Sequence, residues 1–442
     1  MMSAEETRPH TATWFGQPRG LTILFLTEMW EIFSYYGMRS ILVYYMTQQL
    51  LLRQQSASLI YGLYTASAYF TPIIGGVVAD RWLGKSRAVL IGGSIMALGH
   101  FMMAFPALLG WALATIALGN GLFLPSLPSQ INDLYAAEDP RRARAYNVYY
   151  VGINLGGFLA PLVCGTLGEL YGWHAGFTAA GIGMLLGLFS YTAGRRYLPA
   201  QSRLPAPAAG GARTVSTPPR AQPLWPLLLA IGAAVTIFRG AYEQMGNTVA
   251  LWTETGIDRH LLSVSIPKTW FQSLNPLLVF LMTPLLLARW RRSAQRGREA
   301  SSIRKMVQGA LIVACAYALL ALVAWGAGTQ RASAGWLVLF YGIFTLGELH
   351  ILPTGLGLFA RLAPPRLAAT TVASWFLAIF TGSLTAGLVG TLWSRWRPGA
   401  FFGLMTLLAL IAAALLRVLE MRTDRAEAAH AGPATEPAPA HG

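Results

Sequence analysis

Ionisable side chains inside long apolar runs are the residues of this chain best suited to do chemistry. In the first such run Glu28, Glu31, Tyr35 and Arg39 follow one another at steps of three, four and four. These steps place side chains on one face of an α-helix. Two carboxylates, a phenol and a guanidinium on one face could bind a charged solute or carry a proton.

Two later apolar runs also carry polar groups. Arg239, Glu243 and Asn247 recur at steps of four, and Glu348 lies close to His350. An ionised side chain at the bilayer centre costs about 2.5–3.5 kcal/mol, so each should face the interior and have a partner. Ion pairs that only fasten helices explain part of this pattern, but three such helices favour a polar central cavity. For His350 the sequence leaves open a proton site facing the pore and a histidine that packs between helices.

The composition identifies the class of protein that contains these runs. Of the 442 residues, 54% are apolar and 12% are charged, whereas an ordinary soluble domain carries about 25% charged residues. We therefore do not expect a water-soluble enzyme. A disordered chain and a disulfide scaffold are also excluded, because the apolar content is high and there are only two cysteines.

The elements that position the ionisable residues are predicted to be membrane-spanning helices. A spanning helix needs about 20 mainly apolar residues, and only helices and closed barrels cross a bilayer. Continuous apolar runs such as residues 311–325 lack the alternation of barrel strands. We therefore predict an all-α integral membrane protein. Its twelve spans lie near residues 21–51, 57–82, 87–106, 108–134, 143–170, 174–193, 224–254, 266–288, 304–327, 334–363, 366–391 and 399–420.

Positive charge in the short loops predicts the orientation of these spans. With the N-terminus inside, most of the 33 Lys and Arg residues fall on the inner side. We therefore expect a bacterial inner-membrane protein with both termini in the cytoplasm. The same asymmetry explains the net charge of +15, and we expect no nucleic-acid partner because no groove-reading motif accompanies the basic residues.

Composition also divides the chain into segments. Residues 194–223 are rich in Pro, Ala, Gly and Arg and are predicted to form a cytoplasmic linker. This linker joins two six-helix halves, at residues 21–193 and 224–421. Residues 1–20 are predicted to be a cytoplasmic N-terminal segment, and residues 422–442 a disordered cytoplasmic tail.

The two halves carry matching motifs. Residues 118–126 and 346–354 share the pattern Leu-Gly followed by Leu-Pro-Ser or Leu-Pro-Thr, and Gly-Thr-Leu occurs at both 165–167 and 390–392. The nearly equal offsets support a duplication of six helices. Two repeats related by an axis along the membrane normal enclose a midplane site in transporters.

Several motifs resemble those of one known family. The run TEMWEIFSYYGMRSILVYY at residues 27–45 resembles the first helix of the proton-dependent oligopeptide transporters, a branch of the major facilitator superfamily. The resemblance covers nearly the whole chain and implies twelve helices in two pseudo-symmetric six-helix bundles. The other matching runs are GGVVADRWLGK (75–85), GNGLFLPS (119–126), DPRRARAYNVYYVGINLGGFLAPLVCG (139–165), YEQMG (242–246), WFQSLNP (270–276) and GELHILPTGLG (347–357).

The resemblance implies a pocket that reads a di- or tripeptide by its two ends. Glu348 would hold the ammonium group, Arg39 would attract the carboxylate, and Asn154 and Asn275 would hydrogen-bond the peptide backbone. These groups suit a zwitterion that contains a peptide bond. The residues expected to line the side-chain pockets are Tyr35, Tyr36, Tyr69 and Trp375.

The resemblance also implies residues for proton coupling and gating. The gate pairs Arg39 with Glu243, and protonation of Glu243 would release Arg39 so that the helices re-pack around substrate. In a cytoplasmic loop Asp80 and Arg81 are expected to pair with neighbouring helix ends and latch one closed state. The full coupling and gating set is Glu28, Glu31, Arg39, Arg239, Glu243 and Glu348.

Three positions depart from the family pattern. The ExxER signature has Ile32 in place of its arginine, Leu124 replaces the fourth-helix lysine, and Arg239 stands where a large apolar residue is usual. Fewer cations therefore face the carboxylates of the cavity. Either one of the glutamates carries a proton more readily at neutral pH, or the proton circuit is broken and transport is facilitated or exchange-driven.

We expect a monomeric secondary transporter that imports short peptides or peptide-like solutes with protons. The alternatives are a proton-independent facilitator, an antiporter or exporter of a peptide-like natural product or drug, and a membrane receptor that binds without transport. We expect no cofactor and no metal. A relaxed phosphate-loop pattern at residues 79–86 lacks the glycine-rich cradle, and the chain has no clustered metal ligands.

Overall fold

The computed structural model describes residues 13–14, 16–135, 139, 141–199, 224–261, 264–363 and 367–431. These residues are α-helical apart from short turns and six strands of two residues each, which confirms the all-α prediction. Most of the predicted N-terminal segment and linker and the end of the predicted tail, residues 1–12, 200–223 and 432–442, lie outside the described residues.

Fourteen α-helices follow one another in chain order among the described residues. The first seven are α1 (Arg19–Tyr44), α2 (Gln54–Val78), α3 (Lys85–Met102), α4 (Leu109–Asp133), α5 (Arg141–Ala160), α6 (Thr166–Tyr171) and α7 (Trp173–Gly194). The others are α8 (Trp225–Tyr242), α9 (Thr248–Thr255), α10 (Leu274–Gln295), α11 (Ser302–Ala327), α12 (Ala334–Arg361), α13 (Ala368–Gly390) and α14 (Pro398–Ala431).

Short helical turns and strands connect these helices. The π-helical turns are Tyr45–Gln49, Ala79–Leu83 and Pro161–Gly165, and the 3₁₀ turns are Pro106–Leu108, Arg195–Tyr197, Glu243–Gly246, Lys268–Ser273 and Trp393–Arg395. The strands are β1 (Thr13–Trp14), β2 (Gln17–Pro18), β3 (Ile257–Asp258), β4 (His260–Leu261), β5 (Val264–Ser265) and β6 (Ala332–Ser333). The pairs β1–β2 and β4–β5 are antiparallel, with Thr13 opposite Pro18 and His260 opposite Ser265, and β3–β6 is parallel.

Ten helical segments of the described chain are long and apolar enough to cross a membrane. Of the twelve predicted spans, the first and the third are not among the ten. In α1 the residues Glu28, Glu31 and Arg39 lower the apolar content, and α3 begins with Lys85 and Arg87. The ten segments are 54–83, 106–133, 144–171, 173–197, 225–255, 268–295, 302–327, 334–361, 370–395 and 398–427.

The predicted span at residues 224–254 is broken rather than continuous. α8 ends at Tyr242, a 3₁₀ turn follows at Glu243–Gly246, and α9 begins at Thr248. Gln244 donates from Nε2 to the carbonyls of Gly240 (3.1 Å) and Ala386 (2.8 Å). Irregular backbone at membrane depth is tolerated where such partners replace the lost helical hydrogen bonds. The break therefore places Glu243 inside the protein at a helix end.

The last helix is longer than the sequence predicts. The prediction of a disordered tail from residue 422 is wrong for residues 422–431, because α14 continues to Ala431. Hydrogen bonds fasten this extension to the rest of the protein: Glu427 accepts from Ser302 (3.0 Å) and from Arg361 (3.0 Å). These polar contacts supply the stabilisation that the local sequence does not reveal.

The apolar core is divided into clusters along the chain. One large cluster is built from residues between 228 and 426, and two others from residues between 21 and 198. In the first part α1 packs on α5 and α7, and in the second part α11 packs on α12 and α14. Contacts of α2 with α13 and of α5 with α10 join the two parts.

Hydrogen bonds that join residues 16–199 to residues 224–431 cluster at one end of the molecule, where α1 is followed by α2. We call this the closed end. There Gly62 of α2 lies against α13 so tightly that a Cβ on Gly62 would be 2.5 Å from the Cα of Gly387. The bonds include Tyr44 to Ala250, Gln54 to Gly390, Gln55 to Ser394, Ser58 to Asn247, Trp270 to Thr166 and Gln272 to Ser40.

Candidate functional site

The carboxylate of Glu243 lies at the centre of the site and contacts two arginines. It accepts a hydrogen bond on Oε2 from Nη2 of Arg39 on α1, and one on Oε1 from Nη2 of Arg239 on α8. Glu243, Arg39 and Arg239 are only 1%, 6% and 2% exposed. Two cations and one anion are therefore held together out of water, and their contacts join the two parts of the chain.

Tyrosines hold the guanidinium of Arg39 in place. Its Nε donates to the hydroxyl of Tyr61 on α2 at 2.8 Å. Its Cζ lies 5.8 Å from the ring centroid of Tyr36 and 5.5 Å from that of Tyr61, which is within the range of cation–π attraction. The spacing of Tyr36 and Arg39 on α1 brings them to the same side of the helix.

The guanidinium of Arg239 lies between two other tyrosines. Its Cζ is 4.6 Å from the ring centroid of Tyr242 and 5.2 Å from that of Tyr69 on α2. Its Nη2 also reaches the hydroxyl of Ser383 on α13 at 3.4 Å. Tyr69, predicted to line a side-chain pocket, therefore contacts a cation of the site directly.

The carboxylate of Glu348 on α12 is held by neutral donors. Tyr242 donates from its hydroxyl to Oε1 at 2.7 Å, and Asn275 donates from Nδ2 to Oε2 at 2.6 Å. Nδ2 of Asn275 also reaches Oγ1 of Thr345 at 3.0 Å. Among the described residues no cation forms an ion pair with Glu348, so its negative charge is free to bind one.

These contacts form one connected group, which we call the central network. It runs from Arg39 through Glu243 and Arg239 to Tyr242, and from Tyr242 to Glu348 and Asn275. Both cations lie at one end of this network, and Glu348, an anion without an ion-pair partner in the part of the chain that the structure describes, lies at the other. Such an arrangement suits a zwitterion, whose carboxylate needs a cation and whose ammonium needs an anion.

Two further predicted residues, Tyr35 and Tyr36, lie on α1 with Arg39, and a third, Asn154, lies on α5, which packs against α1. Asn154 on α5 is 7% exposed and donates from Nδ2 to the carbonyl of Tyr150 at 2.8 Å. Tyr35 and Tyr36 are in edge-to-face contact, with centroids 5.4 Å apart. The Tyr35 ring is also stacked on Tyr64 at 6.2 Å.

Trp375 on α13, predicted to line a side-chain pocket, packs against α12. It is 2% exposed and belongs to the apolar core of the second part of the chain. Its ring is 5.2 Å from that of Phe359, and a Cβ on Gly355 would be 2.1 Å from it. Because Gly355 of α12 has no side chain, there is space against α12 for the indole of Trp375.

Substitution of Trp375 distinguishes a role in core packing from a role in the substrate pocket. Trp375→Ala is expected to lower the free energy of unfolding by about 3–5 kcal/mol because it leaves a cavity in the core; Trp375→Phe should cost less. Melting temperatures in detergent measure the loss. The Kd for dialanine should stay unchanged in the Phe variant, and a Kd raised tenfold at an unchanged melting temperature would place Trp375 in the pocket instead.

Comparison with known proteins identifies the family. The model of the POT family matches residues 86–209 and 227–401. The chain belongs to the POT family. A di-/tripeptide transporter of Lactococcus lactis subsp. cremoris is 32% identical over 92% of this chain and 96% of its own length. The peptide transporter YePEPT of Yersinia enterocolitica is 33% identical over 88% of this chain and 90% of its own.

Solved structures agree with this membership. The peptide transporter POT in complex with sulfate superposes with a TM-score of 0.86 at 30% identity, over 94% of this chain and 97% of that one. A mutant of that transporter in complex with alafosfalin has a TM-score of 0.85 at 31% identity, with the same coverage. These relatives are transporters rather than enzymes, and together with the apolar helices they make this chain a multi-pass membrane protein of the POT family.

The carboxylates of Glu28 and Glu31 on α1 form a second polar group of this POT-family chain. They are 2% and 1% exposed, and Oε2 of each has no hydrogen-bond partner among the described residues. The hydroxyl of Tyr149 lies near Glu28, and that of Tyr64 lies near Glu31. Among the described residues this buried pair therefore has no cationic partner.

The latch predicted for Asp80 and Arg81 is not formed. Both side chains are exposed in the π-helical turn Ala79–Leu83, and within the described ranges neither makes an ion pair or a hydrogen bond. The ion pair of this region is between Lys85 and Asp133, at 2.7 Å, which joins α3 to α4. The latch of Asp80 and Arg81 in a closed state therefore stays a prediction.

His350 packs between helices and does not join the central network. Its Nδ1 is 2.7 Å from the carbonyl of Leu346, and its ring meets that of Trp290 edge to face at 5.3 Å. Lys305 lies on Trp290 as well, 4.4 Å from the ring centroid. Of the two interpretations left open by the sequence, the structure supports the packing histidine.

Sequence reasoning missed the ionic contacts of the closed end. Nζ of Lys268 donates to Glu254 at 2.9 Å and to Gln48 at 3.1 Å, and Gln48 also contacts Glu254. Oε1 of Glu169 accepts from the backbone nitrogen of Thr269 at 3.1 Å. These residues lie at helix ends and in a loop, where charged residues are common, so no sequence signal sets them apart.

Proposed function

We propose that this protein imports di- and tripeptides or peptide-like solutes into the bacterial cytoplasm by alternating access. The observation that carries the proposal is the central network, which connects two cations to an anion that has no ion-pair partner among the described residues. Relatives at 32% and 33% identity, aligned over most of their length, are peptide transporters. Import of peptides is therefore the function that site and family support together.

In this proposal the substrate is read by its charged ends. Glu348 binds the ammonium group, which replaces or joins the hydrogen-bond donors Tyr242 and Asn275 at this carboxylate. Arg39 binds the carboxylate, and Arg239 is close enough to share it. Asn154 and Asn275 serve the peptide backbone, while Tyr35, Tyr36 and Tyr69 contact side chains. Alafosfalin, a ligand of one related transporter, supports the inclusion of peptide-like solutes.

The proposed architecture is a monomer with twelve spans in two six-helix bundles, both termini in the cytoplasm. α1 and α3 then cross the inner membrane as well, because their charged residues lie in the protein interior or at the membrane surface. With this orientation the closed end faces the outside of the cell. Its hydrogen bonds, together with the pair Arg39–Glu243, then keep the outer side shut, and transport requires them to break.

Proton coupling is proposed as the driving force. Among the described residues, Glu28 and Glu31 each keep one carboxylate oxygen without a hydrogen-bond partner, and the variant motif with Ile32 leaves them without an arginine. A buried carboxylate pair without a cation is a site at which protons are taken up and released. A proton moving inward down a membrane potential yields about 2.3 kcal/mol per 100 mV. The alternative is a facilitator or exchanger of the same solutes, without protons.

Counterflow of labelled dialanine in proteoliposomes tests the function. The account predicts saturable uptake of labelled dialanine, driven by unlabelled dialanine inside the proteoliposomes. Binding without counterflow would indicate a receptor, and silence combined with efflux of amphipathic drugs would indicate an exporter. Coupling is tested by collapsing the pH gradient and the membrane potential with ionophores: net uptake should stop while counterflow continues.

A further inference from the structure

Arg239 is anchored to the part of the chain that carries Glu243. Its Cβ would be 2.3 Å from a Cβ placed on Gly382, so α8 and α13 enclose the start of the side chain. Ser383 and Tyr242 contact its guanidinium from the same part of the chain. Its Nε has no hydrogen-bond partner in the described ranges, so the group has donor capacity to spare.

The two arginines that bind Glu243 lie on different sides of the gate. Arg39 lies on α1 and binds Oε2, whereas Arg239 lies on α8, one helical turn from Glu243, and binds Oε1. When the closed end opens, Arg39 moves away with α1. Arg239 stays, because Glu243 directly follows the end of α8, one helical turn from Arg239, and moves with that helix when helices move as rigid bodies.

The presence of Arg239 changes the electrostatics of opening. In a gate with one arginine and one glutamate, separation leaves a buried carboxylate without a counterion, which is costly unless a proton neutralises it. Here Glu243 still has Arg239 after Arg39 has left. Protonation of Glu243 would instead leave two buried guanidiniums without their shared anion.

We propose that Arg239 is the positioning residue that keeps Glu243 ionised through the transport cycle, so that the Arg39–Glu243 gate opens without a proton on Glu243. The inference rests on the proposed function and deepens it, because it moves any proton uptake to carboxylates other than Glu243. The charged and titratable groups that face Glu243 from the surrounding helices are Arg39, Tyr35, Tyr36, Tyr61, Arg239, Tyr242, Tyr317 and Glu348.

The proposal predicts that removing Arg239 makes gate opening depend on a proton at Glu243. Spin labels at Gln55→Cys and Ser394→Cys report opening, since the half-buried Gln55 and the exposed Ser394 are hydrogen-bonded across the closed end at 2.9 Å. The background carries Cys315→Ser, because Cys315 is exposed and Cys164 is buried. Distances are measured on the full chain in nanodiscs with dialanine between pH 5.5 and 8.0.

In Arg239→Leu the open fraction should fall by up to about tenfold per pH unit, since the protonated fraction of a group falls tenfold per unit above its pKa. Arg239→Lys keeps the charge and should follow the wild-type profile. Glu243→Gln in the Arg239→Leu background should remove the added pH dependence. Arg239→Gln repeats the test with a polar side chain if the leucine variant does not fold.

A profile of Arg239→Leu, or of Arg239→Gln, that superposes on the wild-type profile overturns the proposal. So does an added pH dependence that persists after Glu243→Gln, because the proton would then act elsewhere. The readout needs no transport, so a wild-type protein that fails in dialanine counterflow refutes the proposed function without deciding the role of Arg239.

Discussion

Glu348→Gln is expected to weaken binding of dialanine by about 30-fold or more. The substitution keeps the size of the side chain and removes the charge that is to bind the ammonium group. Loss of one partner from a buried, hydrogen-bonded charge pair costs about 2–5 kcal/mol, and 1.4 kcal/mol corresponds to a tenfold change in Kd. Titration calorimetry on the purified variant measures the change.

The control for Glu348→Gln is a ligand without the ammonium group. N-acetyl-dialanine should bind wild type and variant with similar, weak affinity. Thr345→Val removes only the neighbouring hydroxyl that Asn275 contacts at 3.0 Å and should have a much smaller effect on dialanine. Unchanged dialanine affinity in Glu348→Gln would contradict the assignment of Glu348 to the amino end.

Glu243→Gln is expected to be the most destabilising single substitution in the central network. It leaves Arg39 and Arg239, 6% and 2% exposed, without the anion that binds both. Removing one partner of a buried ion pair costs about 3–5 kcal/mol, because an uncompensated charge stays buried. A large fall in melting temperature and loss of dialanine counterflow should follow.

A double variant supplies the internal control for Glu243→Gln. In Glu243→Gln with Arg239→Leu only one buried cation remains, and Tyr61 still accepts a hydrogen bond from it at 2.8 Å. The melting temperature should therefore recover part of the loss, so that the two substitutions are not additive. Additive effects would mean that Arg239 and Glu243 do not act as a pair.

The sequence predicts the central network well because burying a charge in lipid is costly. Arg39, Glu243 and Glu348 stand out inside apolar runs, and the structure brings Arg39 and Glu243 into contact and links Glu348 to them through Tyr242. The stepwise spacing on α1 also anticipates that Glu28 and Glu31 lie buried on the helix that carries Arg39. Cost and helical period single out these residues, whereas the pairing of Arg39 with Glu243 is implied by the resemblance to the family.

Other features depend on contacts between distant segments and are not visible in the sequence. Trp375 is directed into the core because Gly355 of α12 leaves space for it, and helical period alone does not reveal such a partner. The extension of α14 depends on Glu427 meeting Ser302 and Arg361. Asp80 and Arg81 carry opposite charges at a helix end, but Lys85 and Asp133 are the residues in reach of each other.

A structure of the protein with bound dialanine is the most direct test of the account. The account predicts that the carboxylate of the peptide lies within hydrogen-bond distance of Arg39. The ammonium group should contact Glu348, inside the central network. A peptide bound elsewhere, for example in the cavity of about 510 Å³ next to Trp290 and Lys305, with Arg39 and Glu348 still in their present contacts, would contradict it.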